Sequence, residues 1–111
     1  WVVESEYPGF RSEGVPEITD LNVWPDWRRR GIASALLDVV EDRICEVSDR
    51  AGIAVGLTCD YGAAQRLYVL RGYVPDGAGA WVGEAAWDPR MPCGPDDAVI
   101  HLVKTLNLAD R

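Results

Sequence analysis

The stretch Arg28-Arg29-Arg30-Gly31-Ile32-Ala33-Ser34-Ala35-Leu36-Leu37 decides the fold. Three adjacent arginines are out of character in a chain with 18 acidic and 11 basic residues. They stand where the pattern changes. Before them, Glu17-Ile-Thr-Asp-Leu-Asn-Val23 alternates with period two, which predicts a strand with Glu17, Thr19, Leu21 and Val23 on one face. Pro25 ends it. After them, Ala33, Leu36, Leu37, Val40, Ile44 and Val47 recur at spacings of three and four, which predicts a helix from Gly31 to about Asp49. A strand, a basic turn with glycine and a helix together build an anion site. The first N–H groups of a helix lack internal partners, and the peptide dipoles add positive charge there. Gly31 admits a close backbone approach, Ala33 keeps the next turn small, and the arginines offer charge-assisted contacts. A pyrophosphate suits such a place.

Outward from this stretch, Ala51-Gly52 reads as a break and Ile53-Ala-Val-Gly-Leu-Thr58 as a short strand buried on both faces. A second helix is expected from about Gly62 to Leu70, with Gly72 just past its end. Strand, helix, strand, helix implies a right-handed crossover joining a parallel pair. On the N-terminal side, residues 1–4 read as the end of a strand and Ser5 to Gly14 as a loop. On the C-terminal side, Pro75 to Gly79 reads as a turn and Ala80 to Gly83 as a short strand. Trp87 to Asp97 follows as a loop, and Ala98 to Leu106 is a final strand.

Bulk properties exclude several classes. At 111 residues and 48% hydrophobic composition, one domain spanning 1–111 is expected. A net charge of −7 argues against a nucleic-acid partner, which needs a basic face. No apolar run has membrane-spanning length, and no secretory signal pattern opens the chain. Cys45, Cys59 and Cys93 form no Cys-x-x-Cys, and His101 is alone, so no metal site is expected and the thiols suit the cytoplasm.

A nucleotide-binding Walker loop needs Gly-Lys-Ser/Thr, and a dinucleotide fingerprint needs Gly-x-Gly-x-x-Gly; neither is present. Arg28-Arg29-Arg30-Gly31-Ile32-Ala33 instead resembles the pyrophosphate loop of the GNAT superfamily of N-acetyltransferases, Gln/Arg-x-x-Gly-x-Gly/Ala. Downstream, Ala64-Gln-Arg-Leu67-Tyr68-Val-Leu-Arg-Gly72-Tyr73 is similar to that family's Ala-x-x-Leu-Tyr-x-x-x-Gly-Phe/Tyr helix. The resemblance runs from about Pro16 to Tyr73. Tyr61 departs from it, standing where many members carry asparagine.

The resemblance implies an α/β, GNAT-like acyl-CoA N-acyltransferase fold: a mixed central sheet with two flanking helices, lacking much of the family's N-terminal part. It implies acetyl-CoA as cosubstrate, lying between the strands at Glu17–Val23 and Ile53–Thr58. Pantetheine would pair near Val23, the N–H of Leu21 would face the thioester oxygen, and the N–H groups from Arg29 to Ala33 would cradle the pyrophosphate with Ser34 in reach. The residues implied for the cosubstrate are thus Leu21, Val23, Arg28, Arg29, Arg30, Gly31, Ile32, Ala33 and Ser34. The chemistry is direct attack of an amine on the thioester. Glu17, fourteen residues before Gly31, is the candidate base, and Tyr68 of the helix motif is the candidate acid for the departing thiolate. The acceptor is an amine of a small molecule or protein, and Trp81 and Trp87 are candidates to line its pocket by cation–π contact. His101 is expected to be structural. A homodimer covering the first strand's edge is expected. The rival reading is a catalytically incomplete acyl-CoA-binding module.

Overall fold

The computed structural model describes residues 2–19, 31–83, 85–88, 90 and 98–106. A six-stranded mixed sheet runs through it. In chain order the elements are β1 (Val2–Glu4), α1 (Pro8–Arg11), β2 (Pro16–Ile18), α2 (Ile32–Ile44), β3 (Arg50–Gly56), a 3₁₀ turn (Cys59–Tyr61), α3 (Gly62–Leu70), β4 (Val74–Val82), β5 (Ala85–Ala86) and β6 (Val99–Thr105). The strands lie in the order β1-β2-β3-β6-β4-β5. β2 and β3 are parallel neighbours joined through α2, as the strand–helix–strand pattern requires, and the β1–β2 and β3–β6 pairs are antiparallel.

Register assigns the two faces. Ile18, Ile53 and Leu102 stand side by side across β2, β3 and β6. With Leu37 and Ile44 of α2, Tyr68 of α3 and Tyr73 they form the main core. Each such fully buried aliphatic side chain contributes roughly 1.5–3 kcal/mol. One position along, Glu17, Gly52 and Val103 share the opposite face. There Tyr7, Phe10 and Val15 pack with Trp81 and Val103 into a smaller core.

The two expected strands are shifted: β2 runs Pro16–Ile18 and leaves Thr19 outside it, and β3 runs Arg50–Gly56 rather than Ile53–Thr58. Four further local expectations are corrected. Ser5–Gly14 is not all loop: Pro8 starts a single helical turn, α1, that carries buried Phe10, so three helices rather than two accompany the sheet. Gly52 is not a break but an interior residue of β3. A Cβ there would sit 2.4 Å from Phe10 Cε2, so the missing side chain is what lets the ring lie on the strand. The α2 helix stops at Ile44, short of Asp49. Ser48 Oγ accepts from the Arg50 N–H at 3.2 Å and donates to the Arg50 carbonyl at 3.0 Å, which competes with helical continuation. Val47, counted in the apolar stripe, is therefore exposed. Pro75 to Gly79 belongs to β4. Pro75 stands opposite Leu102 and Ala80 opposite Ile100, so β4 takes five steps where β6 takes two. Gly77 and Gly79, at φ 88° and 78°, absorb the bulge.

Candidate active site

The candidate anion site lies at the N-terminus of α2. Gly31 is its N-cap at φ 75° and, having no side chain, cannot cap the turn itself. An added Cβ at Gly31 would meet nothing within 4 Å. The left-handed backbone, rather than crowding, is what calls for glycine here. Ile32, Ala33 and Ser34 form the first turn. Arg71, the C-cap of α3, donates through one terminal nitrogen to Ser34 Oγ at 2.8 Å and to the Ser34 carbonyl at 3.2 Å. Leu21, Val23, Arg28, Arg29 and Arg30 lie outside the described residues.

The α3 motif has a direct physical reading. The Tyr73 N–H donates to the Tyr68 carbonyl at 3.0 Å and the Gly72 N–H to the Val69 carbonyl at 3.0 Å, with Gly72 left-handed at φ 99°. This is a Schellman closure, and the Tyr68 and Tyr73 rings meet edge to face at 6.0 Å across it. Leucine, tyrosine, glycine and tyrosine at that spacing therefore end a helix and bury its last turn. Tyr68 is 6% exposed within the main core. Burial raises its phenol pKa above the ordinary 10.0, so the hydroxyl keeps its proton.

Glu17 stands on the other face. Its strand neighbour Ile18 joins Tyr68 in the main core, while Glu17 itself accepts a hydrogen bond from Ser5 Oγ. The candidate base and the candidate acid are thus set on opposite faces of the sheet and do not touch. The β2–β3 ladder pairs Glu17 with Gly52 and Ile18 with Ile53, and β3 continues to Gly56. At that end of β3, Gln65 donates to the Gly56 carbonyl at 2.7 Å, and the Tyr61 ring fills the space a Cβ of Gly56 would take. Trp81 turns its ring edge to Tyr7 at 5.1 Å and donates from its indole N–H to the Ala78 carbonyl, so it belongs to the smaller core. Cys59 lies on the exposed 3₁₀ turn, with Sγ 3.7 Å from Asp60 Oδ1.

Several side chains around the candidate site carry no local signature. Glu41, on α2, is buried, and accepts from Tyr73 Oη at 2.9 Å and Lys104 Nζ at 2.7 Å. Arg71 reaches it at 3.3 Å and Asp38 at 2.7 Å. One guanidinium thereby spans Ser34, Asp38 and Glu41 along α2. Spacing of four and three residues puts these on one helix face, but only the fold brings Arg71 to them. Ser5 and Gln65 were equally silent.

A parallel strand–helix–strand unit, a glycine-led helix and a Schellman-closed second helix on a mixed sheet are consistent with an acyl-CoA N-acyltransferase type of fold. The comparison with known families agrees: the model described as the acetyltransferase (GNAT) family matches residues 2–73, from β1 through the closure of α3. The chain belongs to that family. Its general chemistry is acyl transfer from acetyl-CoA. No curated protein and no solved structure matches the chain. No helix among the described residues is long and apolar enough to cross a membrane.

Proposed function

We propose that the chain is an N-acetyltransferase that moves the acetyl group of acetyl-CoA to a primary amine of a small molecule or protein by direct attack. The observation that carries this reading is the family match over residues 2–73. In it, Gly31, Ile32, Ala33 and Ser34 hold the pyrophosphate with Arg28, Arg29 and Arg30, while Leu21 and Val23 align the acyl arm. The left-handed Gly31 at the start of α2 supports this fit.

Glu17 takes the proton that the acceptor's ammonium must lose before its nitrogen can attack the thioester carbon. Tyr68 gives its proton to sulfur as the carbon–sulfur bond breaks, which leaves an amide and a thiol. Because the two groups stand on opposite faces, the reading requires the thioester to lie beyond the Ile18–Ile53 end of the β2–β3 pairing, where one group can be reached from each side. The raised pKa of Tyr68 keeps the donor protonated throughout the working range.

Steady-state release of CoA thiol across a panel of amines tests the proposal. Glu17→Gln is expected to lower kcat by about 10²–10⁴ and Tyr68→Phe by a smaller factor, both with acetyl-CoA affinity retained in calorimetry. Wild-type rates in both variants would show the roles to be wrong. The burial of Tyr68 in the main core favours one second reading, a module that binds acyl-CoA without turnover; binding with no thiol release from any amine would decide for it. The chain is taken as one domain over 1–111. The odd, widely spaced set of Cys45, Cys59 and Cys93 supports a reducing, cytoplasmic setting. β1 at the sheet edge supports a homodimer.

A further inference from the structure

We infer that Ser5 is the positioning residue for Glu17, fixing one carboxylate oxygen so that the other faces the acceptor's ammonium. The inference rests on the reading of Glu17 as the base.

A serine hydroxyl has one hydrogen to give and two lone pairs to receive. Ser5 is 1% exposed, so both must be used inside the protein. The Tyr7 N–H donates to Ser5 Oγ at 3.0 Å, which occupies a lone pair. The hydrogen goes to Glu17 Oε1. A carboxylate oxygen accepts, so Ser5 acts on Glu17 as the donor. Among the described residues it is the one donor to this carboxylate.

Both ends of the bond are anchored. Glu17 sits in β2 between two partners, Val3 on β1 and Gly52 on β3. Ser5 is tied to Tyr7, and Tyr7 is held from every side. It is the N-cap of α1, its ring stacks on His101 at 3.5 Å and 2°, Phe10 and Trp81 meet it edge-on, and its hydroxyl donates to Asp76. The smaller core thus has a task besides burial. It carries a hydroxyl to a fixed point beside the sheet.

With Oε1 bound, Oε2 of the half-buried Glu17 is the oxygen left to accept a proton. A base is effective only when held within hydrogen-bond reach of the proton it takes. In the transfer, an N–H bond of the ammonium breaks and an O–H bond forms at Oε2, while the Ser5 proton stays on serine. Ser5 never meets the substrate.

The test uses the full chain with acetyl-CoA and the best amine of the panel, each variant assayed well below its own melting temperature. Ser5→Ala should lower kcat roughly 10-fold, a part of the 10²–10⁴ a base supplies, with the KM for acetyl-CoA within about twofold. Ser5→Thr, which keeps a hydroxyl, should restore most of the loss. In a Glu17→Gln background, Ser5→Ala should cost nothing more. Full kcat in Ser5→Ala while Glu17→Gln is impaired overturns the positioning role alone. That role also falls if Ser5→Ala and Glu17→Gln multiply independently, or if Ser5→Thr gains nothing over alanine. Full kcat in Glu17→Gln, or no turnover by the wild-type chain with any amine, overturns the base reading and this inference with it.

Discussion

His101 serves as a packing ring, as a lone histidine in a strand pattern suggested. It is buried between Tyr7 and Phe10, and its Nδ1 has no hydrogen-bond partner among the described residues. Burial pulls its pKa below the ordinary 6.5, and the Asp76 carboxylate beyond Tyr7 opposes that in part. The unfolded chain then binds a proton at a pH where the folded chain does not. Stability is complete above about 6.5 and declines as pH falls through the window below it. Asp76 and Tyr7 are the titratable groups facing the ring. Burial and the Asp76 hydrogen bond push the Tyr7 phenol well up, so Tyr7 stays neutral and contributes no slope there. We expect the melting temperature to drop between about pH 7 and pH 5, and His101→Phe to remove part of the drop. An identical pH slope in that variant would mean the buried imidazole charges as freely as an exposed one.

The α3 helix and the β2–α2–β3 unit were legible because their signals are local. Glycine after a helix, apolar spacing of three and four, and period-two alternation each act within a few residues. Gly52 was misread because its meaning is not local: the same residue that breaks a helix also makes room for Phe10, 42 positions away in sequence. Pro75, Gly77 and Gly79 misled likewise, since turn chemistry can sit inside a bulged strand when a neighbour such as β6 supplies the pairing. Of the candidate site, Gly31 through Ser34 and Tyr68 could be picked out from motif spacing. Ser5, Gln65 and Arg71 could not, because each acts through a partner on another element. Gly52→Ala tests the docking of α1. It should push Phe10 off the sheet and destabilise the fold by about 1–3 kcal/mol, read as a lower urea midpoint. Phe10→Leu should recover part of the loss when added to Gly52→Ala but not when made alone. An unchanged midpoint would mean that α1 does not bear on β3.

The Glu41 cluster ties the molecule together, since α2, the end of α3, Tyr73 and β6 all meet there. The Glu41 side chain is 8% exposed, whereas Asp38, bonded to the same Arg71, is 69% exposed. That contrast sets unequal weights. Glu41→Ala leaves the buried Tyr73 hydroxyl and the half-buried Lys104 ammonium without their acceptor and should cost about 3 kcal/mol. Asp38→Asn, at the wet end of the same guanidinium, should cost about 0.5 kcal/mol or less. Equal losses in chemical denaturation would mean the cluster is solvated throughout. A practical outcome follows from Lys104, the chain's one lysine. Its ammonium lies 2.7 Å from Glu41 Oε1. That ion pair, with the Tyr73 ring 5.7 Å away, holds the side chain against the fold. Residues 1–111 thus offer an acetyl donor no lysine that is not already held in an ion pair. Lysine acetylation detected in a reaction mixture is then a record of the acceptor and not of the catalyst.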